Sequence, residues 1–186
     1  MTMEINKIGV IGAGQMGNGI AHVCILAGYD VYLMDKNSDQ AAAAHGVIEK
    51  NMARQVKKGH ILQAAMNESL KRLTVGESYD GFKDCGLVIE AVIEDEEVKK
   101  SIYAELCPVL TPDAVIATNT SSISVTRLGA KTDRPGKFLG MHFMNPAPVM
   151  ELVELIRGIA TDEETFAQIR GVIEKLGKTP VNAEDF

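Results

Sequence analysis

Tryptophan is missing from this sequence of 186 residues, and aromatic residues make up only 5% of it. Platforms on which nucleic-acid bases stack are therefore not expected. Basic residues are in the minority: 19 Lys and Arg stand against 25 Asp and Glu, a formal net charge of −6. That balance argues against non-specific binding to nucleic acid or to an anionic membrane, and neither is expected as a partner. No apolar run approaches the roughly 20 residues that a membrane helix needs. Residues 1–7 lack a basic segment followed by an apolar one, so they do not read as a signal peptide. Cysteine is scarce and odd in number, at Cys24, Cys85 and Cys107, and no pair has metal-ligand spacing. The three read as buried reduced thiols in a cytoplasmic protein, and no metal site is expected.

What is present is an ordinary globular composition, with 46% hydrophobic and 24% charged residues. A chain of this length buries roughly 70% of the surface it exposes when unfolded, and needs no disulfide or metal staple. Apolar β-rich runs alternate with helical patterns. Residues 7–12 (KIGVIG), 30–35 (DVYLMD), 87–92 (LVIEAV), 114–118 (AVIAT), 138–144 and 151–156 (ELVELI) read as extended, with a last short strand over 178–182. Helices are expected over 17–28, 94–106 and 162–176, and a long one capped by Ser38 or Asp39 runs into the 50s. Strands that are apolar throughout and separated by helices mean a mostly parallel sheet covered on both faces, an α/β doubly wound architecture. Residues 45–73 break the rhythm. They read as a polar-faced helix to Lys58, a break at Gly59 and a second helix over 61–73, a helical hairpin protruding from the sheet.

The sequence GAGQMG, from Gly12 to Gly17, fits G-x-G-x-x-G between a first strand and a first helix. Gly12 makes the tight turn, Gly14 lets backbone approach a pyrophosphate, and Gly17 lets helix and strand pack closely. Gln15 and Met16 lie inside this turn, where the helix N-terminus supplies N–H donors and the positive dipole end. Asp35 closes the second strand, about 20 residues on, where the fingerprint wants a carboxylate for ribose hydroxyls. That carboxylate favours NAD over NADP, although Lys36 beside it can soften the repulsion of a 2′-phosphate.

A second unusual segment is HFMNPAPVM, from His142 to Met150. His142 sits in an apolar strand that runs into a Pro-rich turn, which places it near the carboxyl edge of the sheet, where such folds bind ligands. A lone histidine there also reads as a satisfied core residue. Glu151 and Glu154 have opposite strand parity, so at least one faces inward and needs a partner. A chain reversal over 145–150 brings Glu154 to His142, and a carboxylate that orients an imidazole makes a general base. The plainer reading of Glu154 is an edge residue in water. Ser121 and Ser122, in NTSS directly after the strand AVIAT, either cap the next helix or hydrogen-bond a substrate oxygen.

Taken together, GAGQMG, EAVIED, NTSS, HFMNPAPVMELVE and LGKTPV resemble the NAD-binding domain of the L-3-hydroxyacyl-CoA dehydrogenase family, over the whole chain and in order. The resemblance implies a Rossmann-type fold, NAD as cofactor and a short-chain acyl-CoA as substrate. It makes His142 the acid–base residue and Glu154 its orienting carboxylate. Ser121 becomes the hydrogen-bond partner of the substrate oxygen, and Asn145 a residue that shapes the pocket. It places Glu94 and Lys99 at the NAD site. The hairpin becomes the arm for the CoA tail through Lys50, Arg54 and Lys57, which share one helix face that otherwise reads as simply solvated. It also implies that residues 1–186 are the cofactor domain alone. The family's helical C-terminal domain, which carries a further active-site Asn and makes the homodimer, is then absent, and little activity is expected without it. Two alternatives use the same fold: a β-hydroxyacid-type dehydrogenase, whose base is a Lys in its helical domain, and a non-catalytic NAD-binding module.

Overall fold

The computed structural model describes residues 4–185. Residues 1–3, part of the stretch read for a signal peptide, and Phe186, the last residue of the Asp-Phe ending, lie outside it. Eight strands form one sheet in the order β3-β2-β1-β4-β5-β6-β7-β8. They are β1 (Lys7–Ile11), β2 (Asp30–Met34), β3 (Leu73–Gly76), β4 (Leu87–Glu90), β5 (Val115–Thr118), β6 (Phe138–Phe143), β7 (Leu152–Arg157) and β8 (Thr179–Glu184). All neighbours are parallel except β6 and β7. The order reverses between β1 and β4, which opens a crevice at the carboxyl ends of the strands.

Both faces are covered, as the near-continuous apolar strands require. On one side α1 (Gln15–Leu26), α2 (Ser38–Lys57), α3 (Gln63–Leu70) and α6 (Glu163–Lys175) pack around Ile8, Val10, Leu33 and Ile89. On the other, α4 (Glu96–Leu106) and α5 (Val125–Gly129) pack around Val88, Ile116 and Phe138. Cys24, Cys85 and Cys107 are free and buried, and burial pushes the Cys24 and Cys85 thiols up to about 12. Among the described residues no helix is long and apolar enough to cross a membrane.

Three local readings need correction. The cap of α2 is Asn37, one residue before Ser38; its side chain accepts from the backbone N–H of Asp39 and Gln40. The second hairpin helix stops at Leu70, and residues 73–76 form the edge strand β3 beside β2. That strand is short and only half-buried, so it carries little of the period-2 pattern that marks a strand. The last strand runs on to Glu184, paired along its length with β7. In the hairpin, Ala41, Ala44, Ile48, Met52 and Met66 face the core, while the tip carries an exposed Leu62.

Candidate active site

The turn between β1 and α1 forms an open cradle. Gly12 adopts φ +103°, a conformation side chains disfavour, and a Cβ on Gly17 would lie 1.6 Å from the Gly12 carbonyl oxygen. These two glycines are required by the chain itself. Gly14 differs, because a Cβ there would meet no protein atom within 4 Å. The space beside it is clear for a ligand. No acidic side chain occupies the first turn of α1, so its dipole and N–H groups are available to an anion. Asp35 leans back over the turn. One carboxylate oxygen accepts from the Ala13 N–H at 2.7 Å and the other from the Asn37 N–H at 2.8 Å. A cleft of about 380 Å³ opens beside it, lined by Gly12, Asp35, Lys36, Tyr79, Val98 and Ile102 among others.

The second part of the site is built by the antiparallel pair β6 and β7. Directly opposed residues in such a pair point to one face, and the register opposes His142 to Glu154. Their side chains meet, with Nδ1 at 2.8 Å from Oε2. An ionised carboxylate only accepts, so Nδ1 donates and Nε2 is the basic nitrogen. No residue of the described chain bonds Nε2. The two side chains are 20% and 40% exposed, so the pair is open to an incoming molecule. Asn145, in the turn after β6, accepts from the Gln15 side-chain amide at 3.2 Å and so ties this turn to the cradle. The Lys178 amine donates to the carbonyls of Ala147 and Met150, each at 2.7 Å, and fixes the rest of the turn. Burial lowers the pKa of that amine.

The loop carrying Ser121 leaves the carboxyl end of β5, next to β6. The Asn119 side chain accepts from the Phe143 N–H at 2.8 Å and joins the two strand ends. Ser121 itself is exposed. Its neighbours are held from below: Thr120 and Ser122 both donate to Glu94, at 2.7 and 2.9 Å. Glu94 in turn lies 3.7 Å from the Lys99 ammonium, whose main partner is Glu90 at 2.6 Å. Glu90 also accepts from Val92 N–H, Tyr103 and Thr118.

The sequence profile described as the NAD binding domain of 3-hydroxyacyl-CoA dehydrogenase matches residues 7–186. The chain belongs to that family. The 3-hydroxybutyryl-CoA dehydrogenase of Bradyrhizobium diazoefficiens is 54% identical over 186 residues, 100% of this chain and 64% of that protein. The crystal structure of (S)-3-hydroxybutyryl-CoA dehydrogenase from Ralstonia eutropha superposes with a TM-score of 0.96 at 38% identity, over 98% of this chain and 65% of that one. FadB2 of M. tuberculosis gives 0.95 at 42% identity, over 99% and 65%. The chain thus spans about two-thirds of the length of these relatives, as 64% and 65% coverage states.

As the NAD-binding domain of this family, the chain fits its cofactor. The cradle that Gly14 leaves open, the unoccupied dipole of α1 and the Asp35 carboxylate together suit a pyrophosphate and a ribose. Glu94, 39% exposed, holds the Ser121 loop through Thr120 and Ser122 and is not among the residues that line the cleft beside Asp35. Lys99 does not line it either: its side chain is 1% exposed and lies between Glu90 and Glu94. Between α1, α2 and the Asn145 turn lies a second cavity of about 330 Å³. Arg54 lines it together with Asn51 and Lys58, whereas Lys50 and Lys57 do not. Sequence reasoning missed Asn119, Glu90 and Lys178. A lone Glu in an otherwise apolar strand was a signal for Glu90; no spacing rule marks the other two.

Proposed function

We propose that this domain binds NAD and, in a cytoplasmic protein of its relatives' length, interconverts a short-chain 3-hydroxyacyl-CoA and its 3-keto form. When bound, NAD accepts the hydride that leaves C3 with its electron pair. His142 takes the hydroxyl proton on Nε2, and in the reverse direction donates it to the keto oxygen. Glu154 holds the ring through Nδ1 and stabilises the imidazolium that forms. Ser121 hydrogen-bonds the substrate oxygen, and Asn145, tied to Gln15, holds the wall of the pocket against the cradle. The cavity with Arg54 and Lys58 takes the anionic CoA tail, which moves the expected contact off Lys50 and Lys57. The two-thirds span of the relatives leaves room for a further domain that covers the acyl group and forms a homodimer.

The single observation that carries this reading is the 2.8 Å His142–Glu154 pair with Nε2 free, standing beside the open cradle. The test is calorimetric titration of the chain with NADH, then with acetoacetyl-CoA, followed by the absorbance loss of NADH. NADH binding is expected, with turnover slow in this chain and raised by supplying the remaining third of a relative. Absence of NADH binding would overturn the cofactor site. Turnover that survives His142→Gln would overturn the proposed base.

A further inference from the structure

Lys36 is the one cation in the cleft beside Asp35 among the residues that line it. A cation near the end of the second strand is what lets other dinucleotide folds accept the 2′-phosphate of NADP. Here that cation is already engaged. Lys36 Nζ donates to Glu105 Oε1 at 2.8 Å and stands 5.6 Å from the centre of the Tyr79 ring. Glu105 is on α4 and does not line the cleft. Asp35, by contrast, has backbone N–H partners and no ion pair among the described residues.

We propose that Glu105 is a specificity-determining residue for the cofactor: by occupying the Lys36 ammonium it leaves the Asp35 carboxylate unneutralised, and so keeps a 2′-phosphate out. The Tyr79 ring adds a second hold on the same ammonium. The Glu105 hydrogen bond raises the Lys36 pKa, and an ordinary lysine is charged at neutral pH without that bond, so removing Glu105 frees a cation. The pair is exposed, 59% and 49% at its two side chains. An exposed pair is weak, so Glu105 adjusts the discrimination that Asp35 establishes and does not create it.

The proposal rests on NADH binding by this domain, which the unmodified chain reads directly. The experiment is fluorescence titration with NADH, and displacement of bound NADH by NADPH at low ionic strength. Four proteins are compared: unmodified, Glu105→Gln, Lys36→Gln and the double variant. Both residues are at the surface, and thermal melts check that all four fold alike. Glu105→Gln is expected to tighten NADPH by roughly threefold to fivefold, the scale of one exposed pair, with NADH changed less than about twofold. Lys36→Gln alone leaves the NADPH affinity nearly unchanged, and the double variant loses the gain. An unchanged NADPH-to-NADH ratio in Glu105→Gln would overturn the proposal. So would an equal loss on Lys36→Gln in both backgrounds, or no displacement by NADPH from any of the four.

Discussion

Two carboxylates, Glu90 and Glu154, each hold a basic side chain at short range, and the two pairs differ in how much of their bonding is finished. Lys99 on α4 and Glu90 on β4 are sealed between helix and sheet at 1% and 0% side-chain exposure, with four donors on the one carboxylate. Every lone pair in reach is used, so the pair has nothing left to offer a substrate. His142 and Glu154 are a cross-strand couple at 20% and 40% exposure, and one imidazole nitrogen is left over. Both have short contacts, 2.6 and 2.8 Å, so distance does not tell them apart. Saturation and access do. A satisfied buried network fixes a structure, whereas the pair with a nitrogen left over at the carboxyl edge of the sheet is the one proposed to move a proton.

The sharpest way to break this comparison is to exchange the expected consequences. His142→Gln should lower turnover of a protein containing this domain by about 10²–10⁴-fold, the usual contribution of a general base. Its stability should fall by no more than about 1 kcal/mol, the scale of one hydrogen bond. Lys99→Met should do the reverse. Removing one partner leaves a buried, unpaired Glu90 and costs about 3–5 kcal/mol in urea or thermal unfolding. A stable Lys99→Met protein would show that the network is not the structural half of the pair. The glycine turn gives a smaller, independent contrast. Gly14→Ala adds a Cβ that meets no protein atom within 4 Å. It should leave the melting temperature unchanged and weaken NADH by about tenfold or more in calorimetry, near 1.4 kcal/mol.

The smallest effect concerns acid stability. Burial lowers the pKa of His22, and a hydrogen bond with Gln55 only partly opposes this. The unfolded chain therefore takes up the proton first as pH falls. Stability from this group is fully present above its unfolded value, near 6.5, and is lost as pH drops through the folded one. Equilibrium unfolding from neutral pH to pH 5 should show this loss, and His22→Gln should reduce the slope. An unchanged slope would place the acid sensitivity elsewhere.

The parallel strands and the cradle were legible because they rest on strong local signals: apolar runs, glycine spacing and a carboxylate closing β2. The meeting of His142 and Glu154 was legible from strand parity and one chain reversal. Lys99 was not. A lysine on an amphipathic helix looks solvent-facing until the strand beside it is known to carry Glu90. The Arg54 face was half legible. Helical spacing groups Lys50, Arg54 and Lys57, but the packing of α2 on α1 turns Arg54 and Lys58 to the cavity. β3 escaped because four residues after a helix, three half-buried and one exposed, hold too little pattern to outweigh its continuation.

The proposed chemistry turns on Glu154 holding the His142 ring through Nδ1, which makes Nε2 its basic nitrogen. Nitrogen NMR of the labelled chain tests it without needing turnover. Neutral His142 is expected to carry its proton on Nδ1, and Glu154→Gln to weaken this preference. A neutral ring protonated on Nε2, or a tautomer balance indifferent to Glu154, would contradict it.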